Sequence, residues 1–359
     1  MLALLFLRVA SVAGAAPVDQ SLADHPFSAR PSGYLIPSFS AVLPASGTPR
    51  VESGFDLQAR LGTEARLDLG GAGQMGALIE VKAWPAPVLK DAYALYRPAP
   101  FLRFDIGQFK VPYSLTFLAS DTRRLLPTAP QALSGMVGRD LGVMLTTSMP
   151  IRGRTLGSLQ LAAFNGSGPN DASDADGRYL YAVRGVISPL GARTKLFEGS
   201  DGSLYLGVGG AWVHDRGPET GRESAVNQFA GELQFSWTLL SIQGEFLYGD
   251  RPEATSGSPH HRLGGYCTLS AFVPIPGLKE HLQLVGRFAQ SDPDDQTAGD
   301  AAGDLQSTRE FVAGLNLYWF GAPGPFNGVK LQFAFLRHDE LEGTETANDT
   351  LMSAATVRF

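Results

Sequence analysis

Apolar and polar residues alternate with period two along nearly the whole chain, the pattern of β-strands whose two faces meet different surroundings. The clearest run lies at 55–69. Phe55, Leu57, Ala59, Leu61, Ala65, Leu67 and Leu69 fall on one face, and Asp56, Gln58, Arg60, Glu64, Arg66 and Asp68 on the other. A helical period of 3.6 would mix the two sets on every face. The same division separates Phe229, Leu233, Phe235 and Trp237 from Gln228, Glu232, Gln234 and Ser236. It recurs where Phe311, Leu315, Leu317 and Trp319 oppose Glu310, Asn316 and Tyr318, and where Leu282, Leu284 and Phe288 oppose His281, Gln283 and Arg287. About sixteen such segments are predicted. They lie near 33–43, 54–69, 74–84, 90–97, 101–109, 139–148, 156–165, 178–188, 203–213, 225–237, 239–249, 262–273, 279–290, 308–320, 327–337 and 350–359. No helix is predicted.

The connectors alternate too. Short turns at 70–73, 97–100 and 274–277 take every second position, and longer polar loops at 165–177, 214–224, 250–261, 291–307 and 338–349 take the others. The connector at 188–202 is longer than this scheme wants. Strands of this length, short turns at one end and long loops at the other describe a transmembrane antiparallel β-barrel. Closure leaves no backbone groups unpaired in lipid. So many strands sharing a polar face imply a lumen too wide for side chains to fill. A soluble sandwich also alternates, with the apolar face as its core; the loop asymmetry and the two chain ends favour the barrel. Trp84, Tyr96, Tyr113, Tyr248, Trp319 and Phe320, near strand ends, suit interfacial girdles.

Residues 1–16 read as an export signal: 1–12 are mostly apolar, and Ala13-Gly14-Ala15 offers the small residues of a cleavage site, although Arg8 interrupts the core. That leaves 17–359 as one barrel domain. A net charge of −6 argues against a nucleic-acid partner. The single cysteine, Cys267, provides no disulfide framework and is expected to be a packed, inert thiol.

One stretch, 107–140, breaks the alternation. About thirty residues with Pro112, Pro127, Pro130 and the Arg123-Arg124 pair separate two amphipathic runs. An insertion of that length inside a compact domain is uncommon and usually functional.

Its flanks also carry a family resemblance. Gly107-Gln108-Phe109-Lys110-Val111-Pro112-Tyr113-Ser114, followed by Gly138-Arg139-Asp140-Leu141-Gly142-Val143, resembles the phosphate-selective porins of the O and P type. Weaker matching fragments are spread over most of the chain: Ala59-Arg60-Leu61-Gly62, Asp91-Ala92-Tyr93, Arg287-Phe288-Ala289-Gln290, Leu315-Asn316-Leu317-Tyr318-Trp319-Phe320 and Val357-Arg358-Phe359. The resemblance implies a bacterial outer-membrane barrel of sixteen strands, usually trimeric, whose third extracellular loop (here 110–139) folds inward and narrows the pore. The terminal Phe359 resembles the signal read by the barrel assembly machinery, and lipopolysaccharide is the partner expected of the outer loops.

On that frame, Lys110, Arg123, Arg124 and Arg139 are the expected constriction or anion path, because guanidinium forks fit phosphate oxygens. Arg60, Arg66, Arg103, Arg184, Arg287, Lys330 and Arg358 are the expected basic residues of the lumen, since anion pores use rings of Arg and Lys. Asp56, Glu64, Asp68, Glu80, Asp105, Glu232, Glu245 and Glu310 share those polar faces, and Asp121 lies beside Arg123, so the charge could equally be neutralised. Anion preference, selectivity for phosphate or phosphorylated solutes, and an unselective pore are all compatible with these residues. No cofactor is implied. The acidic runs at 171–177 and 292–295 lack the spacing of a calcium loop, and His260-His261 has no third ligand at zinc spacing. No GxSxG, HExxH or phosphate-cradling glycine loop occurs. The rival functions are a barrel enzyme with dispersed catalytic residues and a surface adhesin or receptor.

Overall fold

The computed structural model describes residues 27–43, 52–133, 137–151, 154–172, 178–191, 202–215, 226–251, 260–278, 280–292, 307–319, 328–341 and 348–359. The expected export signal and most of the two acidic runs lie outside them. Sixteen strands follow in chain order: β1 (Phe27–Val42), β2 (Glu52–Asp68), β3 (Gln74–Trp84), β4 (Val88–Ala99), β5 (Leu102–Lys110), β6 (Arg139–Ile151), β7 (Arg154–Phe164), β8 (Leu180–Ile187), β9 (Gly202–Asp215), β10 (Val226–Thr238), β11 (Leu240–Arg251), β12 (His260–Phe272), β13 (Leu282–Asp292), β14 (Thr308–Tyr318), β15 (Val329–Glu340) and β16 (Thr350–Arg358). Each pairs antiparallel with its neighbours, and β1 pairs with β16 to close the barrel. All sixteen predicted segments are strands.

Closure carries past the last strand, because the Phe359 amide and carbonyl exchange 3.0 Å hydrogen bonds with those of Gly33. Gly33 has to be small here: a Cβ there would meet the Phe359 ring and the Arg60 carbonyl at 2.8 Å.

Burial divides by face as the alternation requires, but the apolar face points outward. On β10, Phe229, Leu233 and Trp237 are exposed, while Gln228, Glu232, Gln234 and Ser236 are buried. The same inversion corrects the expectation for Cys267. It lies on the outward face of β12 with Leu263 and Leu269 and is exposed, so it is no core thiol.

The connectors alternate in length with exceptions: β3 and β4 are joined on the long-loop side by 85–87 alone, and 188–201 and 319–328 are long for the short-turn side. The one described α-helix is the single turn α1 (Leu115–Leu118), inside the long insertion and absent from the sequence expectation.

Candidate functional site

The insertion leaves the end of β5, and its base is closed by the Val111 amide donating to the Gly138 carbonyl at 3.0 Å. Gly107, just before, has φ of 132°, and a side chain there would collide with the Ala92 carbonyl of β4. Only glycine takes that backbone at no steric cost. The chain then reaches β10, where the Tyr113 hydroxyl donates to the Phe229 carbonyl at 2.8 Å. Next it turns into α1. Ser114 caps the turn, its Oγ accepting from the Phe117 amide. Below lies Glu245 of β11, buried, accepting from the amides of Leu115 (2.6 Å) and Thr116 (3.1 Å) and from Ser114 Oγ (3.0 Å).

Beyond α1 the segment reaches β1 and β2. The Asp121 carboxylate pairs with Arg60 and Arg124 and accepts from the Tyr34 hydroxyl at 2.9 Å. Burial alone would raise this carboxyl, but Arg124, then Arg60 and Lys110, hold it down at about 2. The return leg lies along β15 to β10. Lys330 and Gln332 donate to the Arg124 carbonyl, and Asn316 to that of Leu125 at 2.9 Å. Arg287 donates to the Thr128 carbonyl at 2.8 Å, and Glu310 accepts from the Gln131 amide at 3.1 Å.

Leu125 and Leu126 pack on Val285, Val312 and Ala334. Gly314 leaves room for Leu126, since a Cβ there would lie 2.6 Å from its Cδ2; Gly264 does the same for Ala132 at 3.1 Å. Apart from Phe229, which offers only its backbone carbonyl, these partners sit on the inward face of their strands.

Between this segment and the wall of β2–β6 lies a recess of about 270 Å³, lined by Leu118 and Ser120 on one side and by Arg60, Glu80, Asp91, Tyr93, Arg103, Asp105, Phe109, Lys110, Arg139 and Met144 around the rest. Three guanidiniums in it carry a carboxylate: Arg60 with Glu80 at 2.9 Å, Arg103 with Asp105 at 2.7 Å, and Arg139 with Asp91 at 2.9 Å. Lys110 instead donates to the carbonyls of Phe117 (2.7 Å), Leu118 (3.3 Å) and Ala119 (2.9 Å). All four cations also lie over aromatic rings: Arg60 over Tyr34, Arg103 over Tyr93, and both Lys110 and Arg139 over Phe117. Four cations against three carboxylates leave the lining with one formal positive charge in excess.

The predicted residues therefore separate into groups. Lys110, Arg139, Arg60 and Arg103 converge on the recess. Arg124 lies behind it on Asp121, and Arg123 is half-buried near Arg358, where burial and then that guanidinium lower its pKa. Asp121 neutralises Arg124 and Arg60 rather than Arg123 two residues on.

The expected cationic path through Arg184, Arg287 and Lys330 is closed over. Arg184 is enclosed with Glu232 at 2.7 Å, while Arg287 and Lys330 lie beneath the segment. Arg66 is exposed and holds Glu64 two residues away. Asp91, Tyr93, Tyr34 and Tyr266, the last donating its hydroxyl to Glu245 at 2.5 Å, are site residues that the sequence pattern does not single out. Asp91 and Tyr93 were visible only as a family fragment, and the two other tyrosines had no sequence signal. Glycines inside amphipathic strands, Gly264 and Gly314 among them, were an available sign of close backbone approach.

Among the described residues, no group of three or more His, Cys, Asp or Glu side chains is placed to hold a metal ion.

A family model described as "Phosphate-selective porin O and P" matches residues 41–236, more than half of the chain. Among solved structures, the chain is similar to OprB of Pseudomonas putida, with a TM-score of 0.64 at 9% identity, covering 96% of this chain and 97% of that one. OmpF of Salmonella typhi aligns with a TM-score of 0.64 at 11% identity over 93% and 98% of the two chains. OmpT of Vibrio cholerae, also described in a trimer form, aligns with a TM-score of 0.63 at 9% identity over 94% and 99%. At these identities the likeness concerns the fold. Among curated proteins, none matches the sequence significantly.

Proposed function

Because the chain belongs to the phosphate-selective porin O and P family, and so is a bacterial outer-membrane channel, we propose that it conducts small hydrophilic solutes passively, without catalysis, and with a modest preference for anions. Residues 110–139 are the constriction, folded into the lumen from the third connector on the long-loop side. The observation that carries this is the recess, where four cationic side chains face Leu118 and Ser120 of that segment. The hydrogen bonds from the segment to polar-face side chains of β1, β2 and β10–β15 support an inward path.

The recess favours passage over retention. Each guanidinium already holds a carboxylate, so an entering anion displaces one before it gains a fork. Phosphate and phosphorylated solutes are among the anions this admits. The path cations are Arg60, Arg103 and Arg139, whose forks face the recess. The trimer form of the Vibrio cholerae protein supports a homotrimer here.

Purified protein in a planar bilayer is expected to give stepwise conductance, with a reversal potential in a potassium chloride gradient displaced toward chloride. A folded protein that forms no channels would overturn the function. A displacement toward potassium would overturn the anion preference alone.

A further inference from the structure

The α1 turn is too short to hold itself. Four residues leave its end groups unsatisfied, and isolated helices of that length are unstable in water. Two side chains from opposite parts of the wall supply what it lacks.

At its N-terminal end the Glu245 carboxylate takes the Leu115 and Thr116 amides and Ser114 Oγ, with the Tyr266 hydroxyl as its fourth donor at 2.5 Å. At its C-terminal end the Lys110 ammonium gives hydrogen bonds to the carbonyls of Phe117, Leu118 and Ala119. A carboxylate is an acceptor only and an ammonium a donor only, so each matches the backbone groups it meets. Their signs also match the turn's dipole.

The dependence runs both ways. Glu245 stands directly opposite Glu232 on the neighbouring strand, a like-charge pairing that disfavours a sheet. Glu232 is neutralised by Arg184. Three of the four donors to Glu245 come instead from the segment, which is why an acidic side chain can be buried in that part of the wall.

We propose that Glu245 and Lys110 form a two-ended clamp on α1, and that this clamp fixes the Leu118 and Ser120 side of the recess. Both are positioning residues, and Lys110 acts through the turn it holds rather than by meeting the solute. The proposal rests on residues 110–139 being the constriction.

The test is single-channel recording of wild type, Glu245→Ala, Glu245→Gln, Lys110→Met and the Glu245→Ala/Lys110→Met pair, with barrel folding checked by heat-modifiable gel mobility. A loosened constriction should raise mean conductance by about 1.5- to 2-fold and multiply open-channel noise several-fold in both Glu245→Ala and Lys110→Met. The pair should add little beyond either single change, because both release one element. Glu245→Gln keeps one acceptor oxygen and should recover part of the quiet behaviour. Conductance and noise at wild-type values in folded Glu245→Ala and Lys110→Met would overturn the clamp. If Glu245→Ala yields no barrel, Ser114→Ala with Tyr266→Phe removes two of the four donors and decides by the same measurement. A wild-type barrel without any channel would instead overturn the channel function on which the constriction reading and the clamp both rest.

Discussion

Replacing Asp121 by Asn removes the carboxylate that Arg60 and Arg124 share while keeping its size. Arg60 lines the recess, so the change uncovers positive charge where solute passes. For an ion about 8 Å away in water, one unit charge is worth about 0.5 kcal/mol. Screening at about 0.1 M salt, with a Debye length of about 10 Å, lowers this to about 0.2 kcal/mol. Anions then gain about 1.5-fold and cations lose the same, so the chloride-to-potassium permeability ratio rises about twofold. The assay is the reversal potential in a tenfold potassium chloride gradient near 0.1 M, repeated near 1 M, where the Debye length of about 3 Å should abolish the effect. A ratio that is unchanged at low salt, or that moves toward potassium, would refute the placement of Asp121 and Arg60 beside the path.

Other perturbations give independent checks. The Asp121 carboxyl lies at about 2 in the folded protein, against about 3.9 when unfolded, so its contribution of about 2 to 3 kcal/mol is fully present above pH about 4 and is lost as pH falls toward 2. Open-channel noise should therefore stay flat from pH 8 to 5 and rise below about 4; an onset near pH 6 to 7 would exclude this group as its cause. Arg139→Ala should lower the anion preference measurably, whereas Arg66→Ala, at an exposed pair with Glu64, should leave it nearly unchanged. Leu126→Ala removes a buried side chain packed on Val285, Val312 and Ala334, at a cost of about 2 to 5 kcal/mol, and should speed proteolysis within the segment. Gly107→Val forces a side chain into the Ala92 carbonyl and should reduce the yield of heat-modifiable barrel. Deleting Phe359 removes both hydrogen bonds to Gly33 and should lower the assembled fraction in outer membranes, counted by the same gel shift.

The stronger strands were legible from residues alone, because a strand exposes alternate side chains to different surroundings and this writes a period of two into the chain; the full count of sixteen also drew on the family resemblance for the weaker ones. The insertion stood out for the same reason, as the stretch where alternation fails. The sense of the faces needed more. Leu263, Cys267 and Leu269 alternate correctly with Tyr266 and Thr268, yet closure of the sheet decided that they are exposed.

The site lay further out of reach. Asp121 is two residues from Arg123 in sequence but pairs with Arg60, whose separation of 61 residues is bridged only when the segment reaches β2. Arg287 and Lys330 carry the charge expected of an anion path and are instead spent on segment carbonyls. Glu245 is one acid among many on a polar face until α1 lies on it. Local patterning determines elements, since each strand's faces are set within a few residues. The partners of a charge depend on where a long irregular segment runs, and that path is decided by many distant contacts at once.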